Sequence, residues 1–230
     1  MAYQSKQTIM SNFWYLENID VNGIFCPNKN AAHDHVKHQF KKGEYIYLPN
    51  EHADKIYFLT EGKIKIGTYS DDGKEITKAI LGPGEVFGEL SIVGEDKRRD
   101  FAIAMESTNT CLVTTEEMKG LMQEHSGLEL FMMKIISSRL LKMEKRLESL
   151  VFKDSRTRVV EFLKEMAIEK GRKIGLYEVE VRGFLTHQEI ANLTATSRQT
   201  VTTVLNELKK KNIISFNRRR LLVRSMENLS

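Results

Sequence analysis

Residues 186–224 constrain the fold more than any other stretch, because they combine two short amphipathic helices, a tight turn and a basic hairpin. Their sequence is THQEIANLTATSRQTVTTVLNELKKKNIISFNRRRLLVR. Thr186 begins a Thr-x-x-Glu capping box for the first helix. Thr196, with Gln199 three residues later, forms a second candidate box, and Ser197 is the alternative N-cap. These signals predict a winged helix-turn-helix, in which the second helix enters the DNA major groove.

The second helix of this segment presents side chains of the types that contact base edges. Arginine forms bidentate bonds to guanine, glutamine bonds to adenine, and threonine contacts the thymine methyl group. The candidates for DNA contact in this helix are Ser197, Arg198, Gln199, Thr202 and Thr203. The hairpin tip adds three side chains that suit phosphate groups, Arg218, Arg219 and Arg220. We therefore expect double-stranded DNA as a partner.

The formal charge is distributed unevenly along the chain. From Asp154 to the C-terminal end there are 15 Lys and Arg against nine Asp and Glu, a formal charge of +6, whereas residues 1–153 carry −2. A basic C-terminal part predicts that a polyanionic partner binds there. A solvated basic surface with no partner is the alternative that charge alone leaves open.

Few features of the sequence indicate the cellular compartment of the protein. No apolar run approaches the roughly 18 residues that a membrane span requires, and the first residues lack the pattern of a secretory signal. The two cysteines, Cys26 and Cys111, are too few for a disulfide framework or for an iron–sulfur cluster within one chain. They suit a reducing compartment. We expect a cytoplasmic protein with no membrane partner and no iron–sulfur cluster.

Short β-branched and aromatic runs, separated by glycine turns, fill residues 40–115. The runs that predict strands span residues 45–48, 55–60, 63–69, 75–81, 101–105 and 110–114. Between two of them, the pair Asp72-Gly73 predicts a type I′ hairpin. Many short strands with glycine turns predict a barrel or jelly roll.

The hydrophobic period then changes to that of one long helix, from about Gly127 to Phe152. Its apolar residues follow each other at intervals of 4, 3, 4 and 3, the spacing of a coiled-coil seam. They are Ile136, Leu140, Met143, Leu147 and Leu150. The seam could pack against the chain's own β-domain or against the same helix of a second copy. Heptad spacing favours the second copy, so we expect a homodimer. Asp154 is the predicted N-cap of the next helix, which Gly171 can end.

The helix-turn-helix carries a resemblance to a known family. The pattern Thr-x-x-Glu-Ile-Ala at 186–191, followed by Ser-Arg-x-Thr-Val at 197–201, resembles the cAMP receptor protein and fumarate–nitrate regulator (Crp/Fnr) family of bacterial transcription factors. The stretch GPGEVFGEL at 82–90 resembles that family's cyclic-nucleotide-binding β-roll. The resemblance implies a homodimer on a pseudo-palindromic DNA site, controlled by an effector in the β-roll and acting on RNA polymerase.

Together, pattern and resemblance predict an α+β fold in three parts. Residues 1–126 form an N-terminal β-roll sensor domain of the jelly-roll type. Residues 127–153 form the dimerisation helix, and residues 154–230 form the winged helix-turn-helix DNA-binding domain. Two recognition helices one DNA turn apart would require half-sites about 34 Å apart.

The resemblance also implies an effector pocket, in which this chain departs from the cAMP-binding members. Its candidate residues are Gly88, Glu89, Leu90, Arg99, Met143 and Glu144. In those members a Gly-Glu pair holds the ribose, and an arginine followed by serine holds the cyclic phosphate. Here Arg99, or Arg98 after a loop shift, is the phosphate candidate, but Asp100 follows it and would repel the ligand. Met143 and Glu144 replace adenine-contacting Thr and Ser. These departures disfavour cAMP, and the effector stays unknown.

Departures also occur in the DNA-contacting segment. Arg198 matches the family's guanine-contacting arginine, but Gln199 and Thr203 replace Glu and Arg of the cAMP-dependent members. The preferred half-site should therefore differ from theirs. Ala195 replaces the glycine often found in the turn, which predicts ordinary backbone angles at that position.

A second class of function rests on the histidine cluster His33, His35 and His38. The H-x-H-x-x-H spacing could hold zinc or another transition metal, as in a β-roll metalloprotein or metalloenzyme. A strand would direct His38 to the face opposite His33 and His35, which favours exposed histidines instead. Haem also remains open, because one histidine can suffice as its ligand. The sequence has no nucleophile elbow, phosphate loop or paired-carboxylate motif, so we expect no enzyme.

Overall fold

The computed structural model describes residues 37–174 and 177–229. This part of the chain falls into two compact units, which divide between Leu141 and Lys142. Outside the described residues lie three side chains from the sequence analysis, Cys26, His33 and His35.

The described N-terminal unit is built around eight strands. They are β1 (Lys37–Phe40), β2 (Tyr45–Tyr47), β3 (Lys55–Glu61), β4 (Ile64–Tyr69), β5 (Glu75–Leu81), β6 (Val86–Phe87), β7 (Phe101–Ala104) and β8 (Thr108–Thr114). The strands form two antiparallel sheets, in the orders β1-β8-β3-β6 and β2-β7-β4-β5. Leu59 and Phe87 of the first sheet meet Ile64 and Ala102 of the second in one buried cluster. The jelly-roll prediction is confirmed.

The turn between β4 and β5 lies at Asp72-Gly73, as predicted, but it is not of type I′. That type needs positive φ at both central residues, whereas among the described residues of this turn only Gly73 has it, at 76°. The amide of Gly73 donates to the carbonyl of Ser70 (2.8 Å), and the amide of Ser70 donates to the carbonyl of Lys74 (2.9 Å). One extra residue is thus accommodated in the turn.

Cys111 lies in the middle of β8. It is completely buried and takes part in a disulfide. The expectation of reduced cysteines is therefore wrong for this residue. Sequence spacing gave no indication of a pair, because a disulfide depends on which chain segments the fold brings together.

Helical segments follow the strands. A 3-10 helix spans Glu89–Val93, α1 spans Thr115–Glu124, and α2 spans Ser126–Phe152. Although α1 has a complete capping box between Thr114 and Glu117, it was absent from the prediction. The long helix is confirmed, and its residues from Lys142 onwards belong to the C-terminal unit. None of the helices in the described part of the chain has the length and apolar character needed to cross a membrane.

The C-terminal unit combines three further helices with a four-stranded sheet of order β11-β12-β10-β9. Its elements are α3 (Ser155–Lys170), β9 (Gly171–Ile174), β10 (Glu178–Arg182), α4 (His187–Leu193), α5 (Arg198–Lys210), β11 (Ile214–Phe216) and β12 (Arg220–Val223). Leu163, Ile190, Leu205 and Leu221 share one buried core. The winged helix-turn-helix prediction is confirmed.

Both ends of α3 lie where the sequence placed them. The Asp154 carboxylate accepts from the amide of Thr157 at 2.7 Å, so it is the N-cap. Gly171 ends the helix in an extended conformation rather than a left-handed one. Glycine is needed there for space, because a Cβ would lie 2.1 Å from the carbonyl oxygen of Ala167.

Candidate nucleic-acid interface and sensor pocket

The recognition helix α5 starts at a single N-cap. The hydroxyl of Ser197 accepts from the amide of Thr200 at 3.0 Å, so Ser197 and not Thr196 caps the helix. The preceding helix, α4, has the predicted capping box, with both bonds between Thr186 and Glu189 present. Helix boundaries of this kind could be predicted because the capping chemistry is local in sequence.

Two opposite faces define α5. The buried face consists of Val201, Val204, Leu205 and Leu208. On the other side, Arg198, Gln199 and Thr203 are exposed within the first two turns of the helix. The structure therefore brings three of the predicted base-contacting side chains to one solvent-facing surface.

Thr202 differs from these three because its hydroxyl is already engaged. It is half-buried; Oγ1 donates to the carbonyl of Arg198 (2.9 Å) and lies 2.8 Å from Nδ1 of His187. The hydroxyl of Thr202 is thus occupied within the protein. His187 was missed by the sequence analysis, since nothing in its spacing distinguishes it from a polar residue of a helix surface.

The turn between α4 and α5 contains a strained residue. Ala195 has φ +48°, in the left-handed region, so the expectation of ordinary backbone angles is wrong. Arg158 of α3 holds this turn, because its Nε donates to the carbonyl of Thr194 (2.9 Å) and its Nη2 to that of Ala195 (3.0 Å). Arg146 adds a bond to the carbonyl of Asn192 (2.9 Å). Carbonyls at the end of α4 thus find partners that the helix itself cannot supply.

The β11–β12 hairpin is organised by one asparagine. Oδ1 of Asn217 accepts from the amides of Arg219 (2.8 Å) and Arg220 (3.0 Å). Arg218 and Arg219 are exposed at the tip. The guanidinium of Arg220 lies 3.5 Å from the Glu180 carboxylate, which partly offsets its charge. The tip therefore carries two exposed guanidinium groups, those of Arg218 and Arg219, and a third, that of Arg220, which is paired with Glu180.

In the N-terminal unit, Gly88 and Glu89 stand where the resemblance places an effector. Gly88 is in the left-handed region, at φ 78°. The Glu89 carboxylate is buried and forms an ion pair with Nη1 of Arg139, whose Nη2 donates to the carbonyl of Val86. Arg139 is on α2, within the same unit. The chain's own arginine thus compensates the buried carboxylate, and sequence reasoning missed it.

Two adjacent arginines next to this pair have different surroundings. Arg98 is buried over the ring of Tyr47, 4.5 Å from its centroid, and Nη1 donates to the carbonyl of Gly88 at 3.0 Å. Arg99 is exposed and pairs with Glu95 at 2.6 Å. The structure therefore brings Arg98, not Arg99, against Gly88.

The remaining residues considered for the effector pocket are Asp100, Leu90, Met143 and Glu144. Asp100 pairs with Lys78 at 3.3 Å, and Leu90 is exposed. Burial raises the pKa of Tyr47 well above its usual value, and Asp100 adds to that shift. Met143 and Glu144 belong to the C-terminal unit.

The predicted seam of α2 is largely solvent-accessible in the single chain. Ile136 is half-buried. The four remaining residues have exposed fractions between 41% and 69%, and they are Leu140, Met143, Leu147 and Leu150. Such a row of exposed apolar side chains on one helix is typical of an interaction surface.

Comparison with known proteins agrees with both units. Residues 37–125 match the cyclic nucleotide-binding domain family, and residues 157–230 match the Crp-like helix-turn-helix domain. The global nitrogen regulator of Synechocystis sp. is 31% identical over 199 residues, covering 85% of this chain and 87% of that protein. The CRP-like cAMP-activated global transcriptional regulator of Mycobacterium tuberculosis is 27% identical over 191 residues, covering 83% and 85%.

Solved structures share the same architecture. A CooA variant from Carboxydothermus hydrogenoformans is 29% identical, with a TM-score of 0.73, and the match covers 85% of this chain and 86% of that one. FixK2 from Bradyrhizobium japonicum, at 22% identity and a TM-score of 0.73, shares the fold over 85% and 95%.

A β-roll of the cyclic-nucleotide-binding type and a winged helix-turn-helix define a class of sensor-linked, DNA-binding transcription regulators. The chain belongs to the Crp/Fnr family of such regulators. The alternative of a β-roll metalloprotein built on His33, His35 and His38 gains no support from these relatives.

Proposed function

We propose that this regulator binds a pseudo-palindromic DNA site as a homodimer, with one α5 in the major groove of each half-site. The observation that carries the proposal is the exposed polar end of α5 at Arg198, Gln199 and Thr203, opposite a fully buried apolar face. A helix with this pattern can lie in a groove without uncovering its core.

Within this proposal, the contacts divide by chemistry. Arg198 bonds to guanine and Gln199 to adenine, while Thr202 and Thr203 contact thymine methyl groups. Ser197 and the hairpin arginines lie at phosphates and fix the register. The residues proposed to contact phosphates are Ser197, Arg218, Arg219 and Arg220. Arg220 should contribute less to DNA binding, because Glu180 partly offsets its charge.

The dimer interface in this proposal is the seam of α2. Four exposed side chains of the seam support it, because burying each of them would contribute roughly 1.5–3 kcal/mol. A two-fold dimer also matches the two-fold symmetry of a palindromic site.

The sensor pocket is proposed to respond to something other than cAMP. Arg139 neutralises Glu89, the residue that would hold a ribose, and Arg98 is bonded to the carbonyl of Gly88. Asp100, close to that arginine in sequence, would repel a cyclic phosphate. The exposed Arg99 pairs with Glu95 and would have to leave it to contact a ligand.

The remaining parts of the proposal follow from membership of the family. The regulator acts on RNA polymerase at its target promoters, in the cytoplasm, with neither a membrane partner nor an enzymatic activity. The supporting facts are the relatives named as a global nitrogen regulator and a global transcriptional regulator, and the match of each unit to a known domain family.

Selection from a random pool of duplex DNA by the purified full chain tests the function. We expect an enriched motif with two-fold symmetry, obtained equally without ligand and with added cAMP. Enrichment only with cAMP would overturn the proposal on the sensor pocket. A motif without two-fold symmetry would overturn the dimer on DNA.

A further inference from the structure

The imidazole of His187 is held by three elements of the C-terminal unit. It is the first residue of α4, its Nδ1 lies 2.8 Å from Oγ1 of Thr202 on α5, and its ring packs edge-on against Phe216 of β11, with centroids 5.9 Å apart. A side chain fixed from three directions has one orientation, so its free nitrogen points to a defined place.

The bond pattern identifies the free nitrogen. The Thr202 hydroxyl has one proton, and it donates that proton to the carbonyl of Arg198 at 2.9 Å. With the hydroxyl proton on the Arg198 carbonyl, Oγ1 accepts from Nδ1–H of His187, and we assign this tautomer to the imidazole. Nε2 is the nitrogen that gains and loses the proton.

The surroundings of His187 disfavour a proton on that nitrogen in the free protein. Burial, and then the positive charge of Arg198 on α5, lower the pKa of His187 from its usual value of 6.5. On the side of the hairpin, the ammonium group of Lys209 lies 5.4 Å from the centroid of the Phe216 ring. On its own helix, the Glu189 carboxylate accepts from the amide of Thr186 in the capping box.

His187 contacts Thr202 of the recognition helix, one turn from Arg198, so the proposed complex with DNA places it on the side that faces the duplex. The first helix of a helix-turn-helix crosses the sugar–phosphate backbone. A neutral Nε2 offers only a lone pair, which cannot bond to a phosphate, whereas a protonated Nε2 donates to one. We propose that His187 contacts a DNA phosphate through Nε2 and takes up a proton as it does so, so that DNA binding by this regulator tightens as the pH falls.

The direction of the pH dependence follows from the linkage between proton uptake and DNA binding. A phosphate next to Nε2 stabilises the charged imidazole, so the pKa of His187 is higher in the complex than in the free protein. Affinity then rises as the pH falls through the interval between the complex and free values, and is level outside it. Uptake of one proton by each of two copies makes the affinity rise by up to about a hundredfold for each unit by which the pH falls within that interval.

The test measures DNA affinity of the full chain from pH 5.5 to pH 8 at fixed ionic strength, using the selected two-fold duplex. It compares wild type with His187→Gln, whose amide donates at every pH, and with His125→Gln, which alters an exposed histidine at the end of α1. Wild type and His125→Gln should weaken as the pH rises, and His187→Gln should have a much flatter profile. Thermal unfolding of the three proteins checks that all are folded.

Two further measurements separate a phosphate contact from a structural role. At pH 5.5, the slope of log affinity against log salt should be steeper than at pH 8 by about 0.9 per protomer in wild type and unchanged in His187→Gln. NMR titration of the wild-type His187 ring should give a higher pKa on DNA than off it, without any substitution.

The inference rests on the proposed binding of DNA through α5, and the outcomes distinguish the two. Equal pH profiles for wild type and His187→Gln, or an unchanged ring pKa on DNA, would overturn the role of His187 alone. Failure of all three proteins to bind any duplex at any pH would overturn both.

Discussion

Arg198 and Arg219 carry the same charge but lie in different settings. Arg198 begins the recognition helix, next to Gln199, whereas Arg219 lies at the tip of a hairpin. Arg198 can distinguish one base from another by the edge that the base presents. The phosphates near Arg219 are the same in every DNA sequence. The two residues should therefore contribute differently to recognition.

We expect Arg198→Ala to cost ~1–3 kcal/mol in binding and to relax specificity at one base pair of each half-site. We expect Arg219→Ala to weaken binding to all sequences alike and to reduce the salt slope by about one per protomer. Affinities for the selected duplex and for single-base variants, each at several salt concentrations, check both. Equal losses on every duplex for both variants would contradict the assignment.

A second residue-scale prediction concerns the strained turn. Ala195 is exposed and has φ +48°, so Ala195→Gly should relieve strain without losing packing. We expect the free energy of unfolding to rise by roughly 0.5–1 kcal/mol, after the added backbone entropy of glycine is subtracted. Ala191→Gly, in the buried part of α4, is the control and should lower it by about 1 kcal/mol. Urea unfolding measures both, and a destabilised Ala195→Gly would be the contrary result.

The surroundings of single residues could not be predicted from the sequence. Arg98 and Arg99 are neighbours of the same type, and only the path of the loop decides that Arg98 is buried against Gly88. The left-handed angle of Ala195 depends on bonds from Arg158, 37 residues away along the chain. Arg139 and His187 escaped notice for the same reason, because their partners are distant in sequence.

At the scale of elements, local chemistry was sufficient for most of the helices and for the longer strands. The N-caps Asp154 and Thr186, and the β-branched runs of β3 to β5, could be predicted because capping and alternation act over a few residues. The short strands β1 and β6 could not, since two to four residues carry too little pattern. The helix-turn-helix as a whole was predictable for the same reason as its caps.

Arg158 connects α3 to the turn before α5, which makes the turn dependent on one side chain. Arg158→Met should lower the free energy of unfolding by about 2 kcal/mol, because carbonyls of Thr194 and Ala195 lose a charged donor. The control is Arg156→Met, whose partner Glu207 is 3.6 Å away at the surface and should contribute less than about 1 kcal/mol.

Unfolding by urea and DNA affinity should change together in Arg158→Met, because the turn sets the position of the recognition helix. Arg156→Met should leave the affinity for the selected duplex nearly unchanged. If the two variants were equally stable, the bonds from Arg158 to the turn would not support it in solution.

For the whole molecule, the decisive question is whether two chains associate through α2. Leu147 and Leu141 are equally exposed in the single chain, at 64% each, but only Leu147 lies on the heptad seam. Leu147→Glu would place two carboxylates opposite each other across a two-fold axis, where burial makes their repulsion large. Leu141→Glu adds the same charge off the seam.

We therefore expect Leu147→Glu to be monomeric and Leu141→Glu to remain a dimer, as measured by sedimentation equilibrium on proteins checked for folding by circular dichroism. The two variants should differ in DNA binding in the same way. A monomer contacts one half-site at a time and loses the gain from linked sites, so Leu147→Glu should bind the two-fold duplex about a hundredfold or more weakly. Its affinity for a single half-site should equal that of Leu141→Glu diluted below its dimer dissociation constant. If Leu147→Glu stayed dimeric, the two chains would have to associate through another surface, and the seam would not be the dimer interface.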